Sequence, residues 1–155
     1  MKLIESNPSL ISIELEIMNS HPYHNLVSEG RKLLTEDDMM EEHEESSELN
    51  KERYLIEYVD KYIGIVDFIM KNPRDDKPWL GLFIIHQDWT GKGLSEEAFN
   101  VYESLMKSRG IKEVRLGCFV NNERGLHFWK KQKFEIVKEI EFKDKPMYVL
   151  EKKLG

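Results

Sequence analysis

Cys118 is the only cysteine in this chain, so an internal disulfide and a cysteine-rich zinc module are both excluded, and a reducing compartment is expected. Proline and glycine are sparse, at five and nine residues, and no repeat, low-complexity tract or Gly/Ser linker is present. Long apolar runs are missing too. The longest, Ile63 to Met70 (broken by Asp67) and Trp79 to Ile85, fall far short of the roughly 20 residues a spanning helix needs, so no membrane partner is expected. Excess positive charge is absent as well: 29 acidic residues against 23 basic ones give a net charge of −6, which removes the footprint of a general nucleic-acid binder. That acidity is local, because acids crowd Glu36 to Glu48 with no Lys or Arg among them. Glu5, Glu14 and Glu16 interrupt any apolar leader core, so a secretory signal is not expected and the chain reads as cytoplasmic. What remains is 155 residues, 40 % apolar and 34 % charged, the profile of one globular domain over residues 1–155.

Hydrophobic periodicity sets the element order. Leu10 to Met18 alternates Glu14 and Glu16 with Ile13, Leu15 and Ile17 and reads as a strand, while His21 to Gly30 reads as irregular. Thr35 caps a helix, with Asp38 completing a variant capping box; within it only Met39, Met40 and His43 could face a core. Arg53 to Val59 and Tyr62 to Met70 form a hairpin through Asp60-Lys61. After the turn-rich loop Asn72 to Pro78, the apolar run Trp79 to Ile85 reads as a central strand covered on both faces. Leu94, Ala98, Val101, Tyr102, Leu105 and Met106 follow a helical period ended by Gly110, and Val114 to Val120 completes a strand-helix-strand unit with parallel strands. Asn121 and Asn122 cap a short helix through about Gln132, and Phe134 to Phe142 with Met147 to Leu150 form a closing hairpin. The fold class is α+β: a mixed, mostly antiparallel sheet with three or so helices and one parallel step.

The segment between the central strand and the long helix carries the strongest chemical signal. Gly91 and Gly93 let the backbone turn tightly at a helix start, where unpaired N–H groups and the helix dipole favour an anion; Thr90, Lys92 and Ser95 add side-chain contacts. This arrangement suits a pyrophosphate, although an ordinary glycine turn fits equally well from so short a motif. A P-loop is ruled out because His86 stands where its first glycine belongs and Gly93 follows Lys92 where a Ser or Thr is required. A dinucleotide fingerprint fails because Glu96 occupies the third glycine position.

These residues resemble the GNAT superfamily of N-acyltransferases, whose signature R/Q-x-x-G-x-G/A opens the helix that seats the CoA pyrophosphate. Here it reads Thr90-Gly91-Lys92-Gly93-Leu94-Ser95. The family's N-x-x-A-x-x-x-Y, then G-F, is matched by Asn122 to Trp129, then Lys133-Phe134, and order and spacing agree over about Tyr54 to Phe142. The resemblance implies helices on both faces of the sheet and a cofactor cleft between two central parallel strands. It implies that acetyl-CoA is a co-substrate, that Phe83, Ile84 and Ile85 supply a backbone edge to the pantetheine, and that Asn122 and Trp129 form the far wall. It implies transfer of the acetyl group to a primary amine by direct attack, on a small molecule or a peptide. Thr90 and Ser95 depart from the signature. Trp129 stands where many members carry an acidic tyrosine, and an indole cannot protonate a thiolate near neutral pH, which leaves that step to water.

The amine must attack in its neutral form, and freeing one of pKa about 10.4 at pH 7 costs roughly 4 to 5 kcal/mol. Trp79 occupies the place of a glutamate base found in some members. Asp67, read by alternation as sharing a face with Ile63 and Ile65, is the first substitute; His86 is the second, and Glu57 a distant third. The acidic helix could attract a cationic acceptor, or be only a solvated face. His21-x-x-His24 is half a metal site without a second pair, so a surface loop is the reading and no metal is expected. Cys118, Phe128, Trp129 and Phe134 read as core. The rival function is a non-catalytic acyl-CoA-binding regulatory module. Oligomeric state is left open, a homodimer included.

Overall fold

The computed structural model describes all 155 residues. In chain order the elements are β1 (Lys2–Glu5), a 3-10 turn (Pro8–Leu10), α1 (Ile11–Asn19), α2 (Pro22–Glu29), α3 (Glu36–Leu49), β2 (Lys51–Tyr58), β3 (Lys61–Ile69) and β4 (Trp79–Ile85). A second 3-10 turn (Gln87–Trp89), α4 (Leu94–Ser108), β5 (Glu113–Phe119), α5 (Glu123–Lys131), β6 (Glu135–Phe142) and β7 (Lys145–Lys153) follow. The strands form one seven-stranded sheet in the order β1-β2-β3-β4-β5-β7-β6. Every neighbouring pair is antiparallel except β4 with β5.

Two cores result, one on each face. Ile56, Val66, Phe68, Leu80 and Ile85 pack with Phe99, Tyr102 and Met106 of α4, while Leu55, Ile65 and Ile84 pack with Ile17 of α1 and Met39 of α3. The α+β class and the mixed sheet are as read from the sequence. Both hairpin turns place two consecutive non-glycine residues at positive φ, Val59 (49°) with Asp60 (60°) and Lys143 (53°) with Asp144 (62°). That geometry matches the strand twist, and it moves the first turn one residue ahead of Asp60-Lys61. The capping box of α3 is present as expected, Thr35 accepting from the Asp38 N–H and Asp38 from the Thr35 N–H. No helix is long and apolar enough to cross a membrane.

The N-terminal third corrects the sequence reading. Leu10 to Met18 is not a strand: Ile11, Glu14, Ile17 and Met18 are the buried positions of α1, a helical spacing that the alternation of Glu14 and Glu16 conceals. The strand there is β1, on the sheet edge, which the sequence did not announce. His21 to Gly30 is a helix rather than a loop, with Pro22 in its first turn and Gly30 closing it at φ 76°, the usual proline-in, glycine-out asymmetry.

Glu14 is buried because it is one end of an ion network beneath α1 and α3. It accepts from Arg53 Nε at 3.2 Å, His43 Nε2 at 3.0 Å and the Ser6 hydroxyl, while Arg53 Nη1 donates to Asp67 at 2.7 Å. Arg53 and Asp67 face each other in the β2–β3 register. Two buried carboxylates thus share one guanidinium, so removing the cation is far costlier than losing one surface ion pair. Arg53→Met should lower the unfolding free energy by about 3 to 5 kcal/mol, measured by urea denaturation.

Candidate functional site

The parallel pair β4–β5 is joined only at Trp79↔Arg115 and Leu80↔Leu116. Beyond Leu80, β4 stays with β3 and β5 stays with β7, and a gap opens between the two central strands. Its cause lies in register: Asp67 pairs with Leu82 and Phe68 with Leu80, so Gly81 is the extra residue of a bulge, and a bulge bends its strand. Glycine is required there because the Asp67 carboxylate occupies the space that a Gly81 Cβ would take. Alternation then decides which backbone groups face the gap. His86 donates its N–H to Ile63 O of β3 at 2.7 Å, so Ile85 and Phe83 turn their N–H and C=O away from β3, into the gap. Ile84 turns its own toward β3.

The start of α4 lies beyond the end of β4. Gly91 and Gly93 both sit at left-handed φ, 76° and 77°, a region that L side chains avoid. No side chain caps α4, and the first bond of the turn is Glu97 N–H to Gly93 O at 3.2 Å. The N–H groups from Gly91 to Glu96 therefore have no acceptor within the protein. A fan of free donors at the positive end of a 15-residue helix has the geometry and polarity that suit an anion. Lys92 Nζ sits 5.2 Å from the Trp89 ring centroid, placing a cation beside it. Thr90 Oγ1 already donates to Gln87 O at 2.8 Å. Leu94 is buried in the core, so it offers only its N–H. The Ser95 hydroxyl has no hydrogen bond.

Across the gap, Asn122 accepts from Gly125 N–H at 3.0 Å and so caps α5. The Trp129 ring is surrounded by other aromatic rings, 4.9 Å from Phe128, 5.4 Å from Phe134 and 5.7 Å from Phe99 between centroids. Phe83 stacks on Phe128 at 6.0 Å, giving the α4 side of the gap an apolar lining. Cys118, on β5, is buried, and burial pushes its thiol up to about 11, which leaves it a core residue with little thiolate.

Of the candidate bases, Asp67 stands nearest the apex of the gap. One of its oxygens binds Arg53, and the other lies against Gly81 with no hydrogen-bond partner. Burial raises its pKa, with Arg53 and Lys51 opposing. It shares its sheet face with Ile65 but not with Ile63. The β2–β3 register steps from Ile56↔Gly64 to Glu57↔Tyr62, and this second bulge turns Ile63 to the α4 core. His86 Nδ1 accepts from Asp88 N–H at 3.0 Å, which uses the one lone pair a neutral imidazole has. Glu57 lies on β2, with β3 and β4 between it and the gap. Trp79, where a glutamate was looked for, donates its indole N–H to Asp75 at 2.9 Å and ties down the preceding loop.

The sequence reading missed the helix that spans the gap. At the α1–α2 corner His21 Nε2 meets Ile85 O at 2.5 Å and Ser20 Oγ accepts from Gln87 N–H at 3.0 Å. Further along α2, Tyr23 Oη donates to Asn121 O at 3.4 Å and Val27 O accepts from Lys145 at 3.2 Å. The helix is thereby tied to the ends of both separated strands. Pro22 and Gly30, eight residues apart, were the available signal. His24, on this helix, is pushed down to about 4, first by burial and then by His21.

A family model described as "Acetyltransferase (GNAT) family" matches residues 20–134. No protein of curated function matches the chain. Among solved structures, an acetyltransferase from Thermus thermophilus superposes with a TM-score of 0.80 at 17% identity, covering 98% of this chain and 96% of the other. The PaiA N-acetyltransferase of Thermoplasma acidophilum, in complex with coenzyme A, gives 0.71 at 20%, covering 98% of each. An aminoglycoside 6′-N-acetyltransferase complexed with coenzyme A gives 0.70 at 17%, covering 100% and 98%. At these identities the likeness is one of fold.

The neutral His24 has a consequence for stability. Folded, it resists protonation down to about pH 4, whereas in the unfolded chain it titrates near 6.5. Between those values the unfolded state binds more protons, so this contribution is fully present above pH 6.5 and is lost as pH falls toward 4. Thermal unfolding against pH should show that decline, and His24→Asn should flatten it.

Proposed function

This chain belongs to the acetyltransferase (GNAT) family, and we propose that it transfers the acetyl group of acetyl-CoA to a primary amine by direct attack, without an acyl-enzyme. The observation that carries this reading is the β4–β5 gap, whose free backbone edge leads to an uncapped helix start. The residues fit the co-substrate part by part. The N–H groups of Gly91 to Glu96, with Lys92 beside them, would hold the pyrophosphate, and Phe83 and Ile85 would hydrogen-bond the pantetheine arm in the manner of a missing strand. That PaiA and the aminoglycoside acetyltransferase were crystallised with coenzyme A supports the assignment.

The co-substrate supplies an activated acyl group; the protein's task is alignment and proton transfer. A gap-facing N–H of β4 polarises the thioester carbonyl. For the amine proton we assign Asp67, because its unpartnered oxygen sits against Gly81, the first residue past the last β4–β5 pair. A buried carboxyl with a raised pKa is a better acceptor than an exposed one. Trp129 has no acidic proton to give, and water protonates the departing thiolate. The acceptor is a small-molecule or peptide amine, with cationic ones favoured by the acidic surface of α3. The same Trp129, with the salt-bridged Asp67 and the occupied His86 lone pair, favours one rival: a module that binds acyl-CoA without turning it over.

Two measurements decide. Isothermal titration should show acetyl-CoA binding well below millimolar; Gly93→Val, which forces a branched side chain into φ 77°, should weaken it at least about tenfold. No binding by the wild type at millimolar ligand would end the proposal. In an amine-panel assay, Asp67→Asn should lower turnover at pH 7 by about a hundredfold or more with acetyl-CoA affinity kept. That loss should shrink as pH rises toward the amine pKa, a recovery that a merely misfolded variant would not show. Turnover by the wild type excludes the binding-only module.

A further inference from the structure

The free edge of β4 is not wholly free. Ile85 C=O points into the gap, where β5 would be its partner had the strands stayed together, and His21 Nε2 lies 2.5 Å from it. A carbonyl oxygen only accepts, so the imidazole carries its proton on Nε2 and donates it. His21 lies at the α1–α2 corner, on a different element from the strand it caps. The neighbouring bond, from Gln87 N–H to Ser20 Oγ at 3.0 Å, holds that corner in place independently of the imidazole. The His21 imidazole does no capping for α2, to which only its backbone carbonyl is bonded.

From this geometry, and resting on the acetyl-CoA reading above, we propose that His21 is a built-in competitor of the pantetheine arm. Its N–H occupies the Ile85 carbonyl that an arm amide would use, and the imidazole must swing aside before the arm can lie along β4. One hydrogen bond is exchanged for another of the same kind, and no bond in the chain is made or broken. The motion asked of the protein is small. Only the His21 side chain rotates, because Ser20 keeps the corner on Gln87 and Tyr23 and Val27 keep α2 on the far side. His21 is thus a residue that sets cofactor affinity rather than one that touches the reacting atoms.

The proposal separates two halves of coenzyme A. His21→Ala removes the competitor and should tighten coenzyme A binding about three- to tenfold, the range of one net hydrogen bond. The same variant should leave unchanged the affinity for the nucleotide half of coenzyme A, which has no arm and needs only the start of α4. His21→Gln, whose side-chain amide can still donate to Ile85 O, should bind coenzyme A as the wild type does. Isothermal titration of the three proteins with both ligands reads all of this, and a thermal melt confirms each is folded. Equal or weaker coenzyme A binding by His21→Ala overturns the proposal while leaving the acetyl-CoA reading intact. Coenzyme A binding by none of the proteins overturns that reading, and this inference with it.

Discussion

An extra residue in β4 governs the functional half of this molecule. Gly81 does not pair in step with β3, and only glycine fits there, because the Asp67 carboxylate stands where a side chain would be. The strand bends, and its parallel contact with β5 ends after two residue pairs. In most sheets a broken ladder between central strands would leave backbone groups stranded in the interior, a cost that native structures avoid. Here the gap leads out toward the start of α4, so its edge can be met by a ligand or a side chain.

The same carboxylate ties the gap to the rest of the fold. Asp67 is held by Arg53, Arg53 by Glu14 of α1, and Glu14 by His43 of α3, so the bulge is buttressed from the face that carries both helices. From α1 the chain turns directly into α2, and that corner meets the outer end of the gap at Ile85 and Gln87. The inner end of the opening is fixed by buried charge and the outer end by single hydrogen bonds at the α1–α2 corner. Buried ion networks tolerate little displacement, whereas a single imidazole contact exchanges readily. Rigidity at the apex and freedom at the mouth are what a site needs if it must align a thioester yet admit a long arm.

Much of this was legible from residues alone where local rules dominate. Gly91 and Gly93 between a strand and a helix announced a tight turn, and both sit there at positive φ. The apolar period from Leu94 to Met106 announced α4, and Thr35 with Asp38 announced the start of α3. Reading failed where a polar residue is buried for tertiary reasons. Glu14, alternating with Glu16 among apolar residues, produces a false strand, because no local rule says that an arginine on β2 awaits it. His21 to Gly30 was dismissed for its Pro and Gly, although their positions mark the two ends of a helix. His21 itself was weighed only as half a metal site, since its partner is a backbone carbonyl 64 residues away in the chain.

The order of helices and strands from α3 onward, the α+β class, the glycine turn before α4 and the motifs that place the chain in its family were determined by the sequence, since propensity, periodicity and glycine geometry act over a few neighbouring residues. Only the tertiary structure decided that β4 and β5 part after Leu80, that Asp67 sits at the apex bound to Arg53, and that α2 spans the opening with His21 on the strand edge. Those outcomes depend on register and on pairs of groups from distant segments. A one-residue step in register reverses which groups face a gap, and nothing in a single strand's own residues states the register it will adopt.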